Sequence, residues 1–439
     1  MRVAVLEKLV GVMGVRRARR VRLAVVSAVI ASLGLVVQSS GPVAVRAAPV
    51  PATFKGLTPA RLLDTRPGNP TFDGLRAGEG PLGPAGVTSL QISGRGGVPT
   101  SGAGSVALNI TAVGSTAQTY VTVWPTGLGQ PGSSNLNVSP GVTTPNMVIV
   151  PLGTVGKINL ANDSGDTDLV VDVLGYFPTG GGYQGLQPER FLDTRPNGAT
   201  CDDAWVRTLT IGSGADTEVQ ITGRCNVPAT GVDSVAVNLT VTGPTKDSYM
   251  TVWPSGLPQP NSSTLNYVPG QTVANMAIVP VGTALGRIDL WNFNGVVFGI
   301  ADVLGYFPSG SGFHGSVPKR FMDTRAFAPT CDLLFSGKGV VGPASTRNMQ
   351  LTGRCDIPAT GVGAVALNVT VTAPTAPSFM TVWPSGVAQP TASNLNYVAG
   401  QTVPNMVIVP VGADGQISLF NSTGQTHVIV DVLGWFAAS

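Results

Sequence analysis

From residue 53 onward the chain is built of short apolar runs, or apolar residues at every second position, broken by Gly, Pro and Asn. A period of two is the signature of strands with one face buried, and runs of four to eight apolar residues between turn signals fit strands buried on both faces. In the last third the pattern predicts strands over Asn348–Leu351, Val365–Val371, Phe379–Trp383, Asn394–Tyr397, Met406–Val409, Gln416–Phe420 and His427–Val432. Roughly seven or eight strands in about 125 residues, with no amphipathic helical stripe, predict an all-β fold of β-sandwich type, jelly-roll-like in its connections.

The same pattern occurs three times. The stretch from Phe379 to Gly412 has ungapped counterparts at Tyr120–Gly153 and Tyr249–Gly282, each holding Thr-Val-Trp-Pro, a Leu-Asn, an Asn-Met and a Val/Ile run closed by Pro-x-Gly. Every copy opens on aromatic-x-Gly, Pro-x-Arg and Asp-Thr-Arg, and closes on Asp-Val-Leu-Gly-aromatic-Phe at Asp172, Asp302 and Asp431. A period of 129 to 130 residues is far longer than a solenoid repeat and predicts three tandem domains, at residues 53–178, 182–308 and 312–439. Between them lie only Pro-Thr-Gly-Gly-Gly and Pro-Ser-Gly-Ser-Gly, which predict flexible joints between independent beads. Asn162, Asn292 and Asn421 each begin an Asn-x-x-Gly phrase before the last strand, predicting a hairpin loop. In the first copy that phrase runs on through Asp163, Asp166 and Asp168, an oxygen-rich run read as a solvated acidic turn in preference to a calcium loop.

Charge changes the picture only at the N-terminus. Of 26 basic and 23 acidic residues, eight basic and one acidic precede the first copy, which leaves 18 against 22 and a mildly acidic remainder. Nothing in that balance supports a nucleic-acid partner. The basic cluster Arg16–Arg22 is followed by the apolar run Leu23–Val37 and by small residues ending at Ala47. That order predicts a signal peptide over residues 1–47 and a secreted, extracellular product, wall-associated or free, with no stable membrane insertion after cleavage. Met13 would give a more ordinary start than Met1.

The cysteines agree with export. Cys201 and Cys225 fall in the second copy, Cys331 and Cys355 in the third, and the first has Phe72 and Gly96 at the matching places. Joint absence is what a bonded pair predicts, so Cys201–Cys225 and Cys331–Cys355 are read as disulfides, each contributing roughly 3 kcal/mol by loop closure. Two cysteines per domain without a recurring His do not make a zinc site, and no metal or cofactor is expected.

Candidate chemistry is sparse. His314 and His427 do not recur, so a Ser-His-Asp or Cys-His arrangement has no general base, and no catalytic residue is assigned. The pairs Asp64 and Asp172, Asp193 and Asp302, and Asp323 and Asp431 have the residue types of a glycosidase. Each Asp-Thr-Arg brings its own cation, however, and structural pairs Arg66–Asp172, Arg195–Asp302 and Arg325–Asp431 are the simpler expectation. Asn109, Asn238 and Asn368 match the glycosylation pattern but fall in mid-strand, where satisfying backbone groups is the expected role. Alternation places Tyr120 with Trp124, Tyr249 with Trp253, and Phe379 with Trp383 on the strand face opposite the Val residues. Displayed outward, these aromatics would suit sugar rings; covered by a loop or a second sheet, the commoner fate of large aromatics, they would be core.

The third copy carries MDTR, DIPATGVGAVALNVT, TVWPSG, SNLNYVAGQTVPN, VPVGADG and DVLGWF, and the first two carry LDTR and DVLGYF. Together these resemble a module of secreted actinobacterial proteins that occurs alone, in tandem or attached to other exported domains. The resemblance covers the whole chain after the signal segment and implies export and an all-β fold. It brings no activity and no site residues. The first copy departs most, lacking the cysteines and reading Val138-Ser139-Pro140 where the others have Tyr267 or Tyr397 followed by Val.

The functional expectation is a secreted, non-enzymatic protein that binds cell-wall or other glycan polymer through repeated weak sites. A structural or adhesive protein contacting surface proteins is the alternative. A glycan-cleaving enzyme comes last, because only Glu79, Glu189 and Glu218 remain after the signal segment.

Overall fold

Each copy folds into eight antiparallel strands. In the first they are β1 (Lys55–Asp64), β2 (Gly86–Gln91), β3 (Ala103–Val113), β4 (Thr119–Pro125), β5 (Leu136–Val138), β6 (Thr144–Pro151), β7 (Lys157–Asn162) and β8 (Asp168–Pro178). They form two four-stranded sheets, β1-β8-β3-β6 and β2-β7-β4-β5, and the other copies repeat both orders. The computed structural model describes residues 53–206, 209–282 and 285–438; the expected signal peptide lies outside them. Among the described residues no helix is long and apolar enough to cross a membrane. The expected all-β fold is present, as six sheets arranged in three pairs around a common centre.

The two sheets of a pair share an apolar core. In the first copy Leu62, Val106, Leu108, Val148 and Val171 of the first sheet meet Leu90, Val121, Val123 and Leu160 of the second. Burial differs between the sheets in the way their sequences predict. The outer strand β2 alternates between exposed and covered positions, whereas β3 is buried over nearly its whole length. Near-continuous burial means that both faces of the inner sheet are covered.

The second cover comes from the other two copies, and this overturns the expectation of independent beads. The described residues form one compact unit. Its centre is an apolar cluster drawn from all three copies, including Met147, Met276 and Met406 and the last Phe of each closing motif. The rings of Phe177, Phe307 and Phe436 lie 5.9 Å from one another, an equilateral triangle around a threefold axis. The opening aromatics Phe54, Tyr183 and Phe313 fill the gaps between them at 4.6 to 5.5 Å. The glycine of the closing motif makes room for this packing: a Cβ at Gly305 would come within 2.4 Å of the Tyr183 hydroxyl.

Around the axis runs a cycle of buried asparagines. Asn146 of the first copy accepts from Met276 N and donates to Asn238 of the second. Asn275 does the same toward Met406 and Asn368 of the third, and Asn405 toward Met147 and Asn109 of the first. The mid-strand asparagines 109, 238 and 368 thus satisfy neighbouring copies and, through Nδ2, the carbonyls of Ser393, Ser134 and Ser263. The linkers are part of the same closure: Gly182 is packed so tightly on the other linker that a Cβ would lie 2.1 Å from Ser311 O.

The hairpin expected at Asn162, Asn292 and Asn421 is also corrected, since β7 and β8 belong to different sheets. Asn162 Nδ2 ties this crossover together by donating to Leu82 O, Gly83 O and Gly165 O. Asp168 in the acidic run accepts from Thr65 Oγ1. Both disulfides are formed, Cys201–Cys225 and Cys331–Cys355, with Cα atoms 6.0 and 6.3 Å apart.

Candidate ligand-binding clefts between repeats

The opening strand of each copy carries a chain of four charges. Register places Arg61 of β1 opposite Asp172 of β8, and Arg61 joins Asp172 at 3.0 Å and Asp64 at 2.9 Å. Arg66, two residues after Asp64, folds back onto it at 2.7 Å. The other copies repeat the order as Arg195–Asp193–Arg190–Asp302 and Arg325–Asp323–Arg320–Asp431. The expected direct pairs Arg66–Asp172, Arg195–Asp302 and Arg325–Asp431 are therefore replaced by relays through Arg61, Arg190 and Arg320. These are the arginines of the recurring Pro-x-Arg, and cross-strand register decides the partner. Burial pushes the carboxyls of Asp172, Asp302 and Asp431 up against the pull of their arginines. Burial acts on Asp193 in the same sense, but the hydrogen bonds from Arg195 hold it below the usual range.

The tryptophan stripe is not displayed. Trp124, Trp253 and Trp383 are 4 to 5% exposed, each covered by the loop that follows it. Their indole Nε1 donates to Leu128 O, Leu257 O and Val387 O, four residues on, at 3.0 to 3.1 Å. The indole N–H requires a partner once buried, and the Pro-x-Gly turn supplies one. Tyr120, Tyr249 and Phe379, at the other end of the same strand face, stay partly exposed.

Beside Tyr249 are two further aromatics outside the Thr-Val-Trp-Pro motif, Trp291 and Phe293. Tyr249 stacks on Phe293 at 4.9 Å and 14°, and Trp291 closes the group at 5.8 and 5.7 Å. Phe293 is 48% exposed. Trp291 lies on the strand Arg287–Asn292, the second copy's counterpart of β7, whose buried residues are Ile288, Leu290 and Asn292. That alternation was the available signal. The third copy has the smaller pair Phe379 and Phe420, 6.2 Å apart. The first has Tyr120 with Ala161 and Asp163, and Asp163 with burial raises the Tyr120 hydroxyl.

Tyr249 also lines a polar cleft between the second and third copies. It has a volume of about 330 Å³. Tyr249 and the segment Pro260–Asn266 form one wall; Arg320, Arg325, Thr370 and Thr372 form the other. Asn368 pins the walls together through Ser263 O at 2.8 Å. The segment follows the Trp-Pro turn and the arginines belong to the next copy's opening motif, so the cleft exists only because the two copies pack together. A wider recess of about 900 Å³, lined by Thr230, Asp233, Leu285 and His314, lies on the same junction but away from this aromatic group.

No known protein family and no curated protein matches the chain. Among solved structures, it is similar to a protein in the atomic structure of Sulfolobus Turreted Icosahedral Virus, with 9% identity, 82% of this chain and 84% of that one covered, and a TM-score of 0.21. A second similarity is to the triple jelly roll of an archaeal virus turret, with 9% identity, 88% and 90% coverage and a TM-score of 0.19. A third is to the cycloalternan-forming enzyme of Listeria monocytogenes in complex with a pentasaccharide substrate, with 13% identity, 73% and 29% coverage and a TM-score of 0.17. At such scores none bears on function.

Proposed function

We propose that the chain is a secreted, non-enzymatic protein that binds cell-wall or other glycan polymer through weak sites repeated around its ring, each copy being a β-sandwich of jelly-roll kind. The observation that carries the reading is the partly exposed group Tyr249, Trp291 and Phe293, whose Tyr249 lines a cleft of Ser, Thr, Asn and Arg. Sugar rings present apolar C–H faces together with hydroxyls, and such a surface offers both kinds of partner. The disulfides accord with an oxidising, extracellular setting. Repetition on one rigid body would raise avidity without a tight pocket.

Cleavage of the glycan is disfavoured. The carboxylates of Asp323 and Asp431 are 0 and 1% exposed and both engaged by Arg320, whereas a glycosidase requires two carboxyl groups facing the scissile bond. The adhesive alternative draws on a different observation, the exposure of Phe72 and Leu75 in the first copy and of Phe327, Leu333 and Leu334 in the third. Apolar side chains displayed on corresponding loops suit a protein partner.

Co-sedimentation with insoluble peptidoglycan, chitin and cellulose tests the choice. The intact chain should pellet with at least one polymer, and a variant with Tyr249, Trp291 and Phe293 changed to Ala should remain largely in solution. Failure of the intact chain to pellet with any of them would leave the adhesive reading in front.

A further inference from the structure

In the outer sheet β2 and β7 are neighbours, and their solvent-facing residues stand opposite one another. In the first copy Ser89 faces Asn159 and donates to it at 2.6 Å. In the third Ser418 faces Asn348 and donates to it at 2.9 Å. In the second copy the same two places hold Glu218 and Asp289. Like charges directly opposite one another destabilise a sheet, whereas the neutral pairs of the other copies contribute a hydrogen bond.

The rest of that face has the same sign. Asp216, which is exposed, stands opposite Trp291, one alternation on from the two acids. Arg287 pairs with Glu218 and donates to Gln220 at 2.8 Å, and Ser255 donates to Asp289 at 2.8 Å. Lys246 reaches Gly295, two residues past Phe293, and is followed by Asp247, so that turn adds a charge of each sign. Three carboxylates against one guanidinium leave the face negative. Burial raises the Asp289 carboxyl, Ser255 lowers it, and Glu218 and Asp216 raise it further, so the three acids feel one another.

Trp291 joins these acids to the aromatic group. Tyr249 and Phe293 pack on it at 5.8 and 5.7 Å. Asp216 is its neighbour across the strands, and Asp289 its neighbour two residues along the same face. Phe293 is 48% exposed and the Glu218 side chain 37%, and Trp291 and Asp289 are half-buried, so solvent reaches rings and carboxylates alike. The places of Trp291 and Asp216 are taken by Ala161 and Val87 in the first copy and by Phe420 and Thr346 in the third. The combination of ring and acid belongs to the second copy. We infer that this face takes a cationic amino sugar, with the apolar side of a glucosamine-type ring against Trp291 and its ammonium held among Asp216, Glu218 and Asp289. An ammonium beside an indole and carboxylates gains both a cation–π contact and charge-assisted hydrogen bonds. It would also offset the repulsion that the opposed acids bring. The assignment rests on the glycan-binding reading above and names the sugar class for its aromatic group.

The test is calorimetric titration of the purified chain, in mildly acidic buffer of low salt, with the β-1,4-linked hexamers of glucosamine and of N-acetylglucosamine and with hexalysine, beside two variants. Glu218→Ser with Asp289→Asn copies the hydrogen-bonded pair of the first copy and should keep or raise the thermal midpoint. Trp291→Ala removes the ring and leaves the carboxylates. The glucosamine hexamer should bind the intact chain about tenfold more tightly than the acetylated one, and the advantage should vanish in the double variant and shrink with salt. Hexalysine, which has charge but no ring, should bind more weakly, and Trp291→Ala should cost the sugar and not the peptide. Equal affinity for the two hexamers, an advantage that survives the double variant, or no binding of glucosamine hexamer by a chain that still pellets with polymer would overturn the cationic class and leave glycan binding intact. Hexalysine binding as tightly as the glucosamine hexamer, with Trp291→Ala affecting neither, would assign the face to a basic peptide instead. No binding of either hexasaccharide and no pelleting with any polymer would bring down both this assignment and the reading under it.

Discussion

The first and third copies hold the same two loops together by different means. In the first, Arg95 clasps Asp73 through Nε and Nη2 at 2.8 Å and caps Leu62 O and Gln91 O. In the third, Arg354 does the same with Asp332, Phe321 O and Gln350 O, and Cys331–Cys355 joins the loops beside it. The backbone at the second cysteine is left-handed in both, φ 57° at Gly96 and φ 48° at Cys355. Glycine adopts that conformation at little cost; cysteine does not. The arginine clasp is thus the common device and the disulfide an addition to it. Conversely, the Asn162, Asn292 and Asn421 amide oxygens accept from Thr119, Ser248 and Ser378 in all three copies, and Tyr267 and Tyr397 add a second donor in the later two, where Thr167 supplies it in the first.

The largest loss is expected where the copies agree. Asn275→Ala leaves Met406 N, Thr264 O and Asn368 Oδ1 without a partner, about 3 to 6 kcal/mol at 1 to 2 each. Denaturant unfolding should show the same loss for Asn146→Ala and Asn405→Ala if the ring is the shared element. Next comes Arg95→Ala, about 3 kcal/mol from two buried carbonyls and a charged partner. Hydrogen exchange should then rise over residues 67–76. Arg354→Ala should open its loop less, because the disulfide still holds it; equal exchange in both would break the comparison.

Replacing Cys331 by Phe and Cys355 by Gly copies the first repeat into the third. Loop closure sets an upper bound of about 3 kcal/mol on the loss, and relief of the left-handed cysteine should return part of it, about 1 kcal/mol. A loss at the full bound would mean that the clasp contributes little. The smallest effect is with acid. Hydrogen bonds from Arg95, Arg224 and Arg354 hold Asp73, Asp202 and Asp332 below the usual carboxylate range. A carboxylate depressed on folding contributes stability above its unfolded pKa and loses it as pH falls through the folded one. The thermal midpoint should therefore fall between about pH 4 and pH 2, and the first copy's loop should exchange before the third's.

The sequence by itself determined seven of the eight strands of a copy, the threefold repetition and the cysteine pairs, because period-two alternation, turn residues and joint absence are local or positional signals; the opening strand, Phe313–Asp323 in the third copy, carries Gly, Pro and charged residues in place of that alternation. It also held the residues of the clefts without their grouping. Trp253 carried the more visible motif, yet its covering loop follows within four residues and buries it. Trp291 was legible only as the outward position of an alternating strand. Only the tertiary structure decided that the copies close into a ring, that Arg61 and not Arg66 reaches Asp172, and that Tyr249 meets the next copy's arginines. The reason is physical. The asparagine cycle and the triangle of phenylalanines pair residues 92 to 296 positions apart that belong to different copies, and nothing within a single repeat distinguishes a polar mid-strand residue that meets water from one that meets its own likeness in the neighbouring copy.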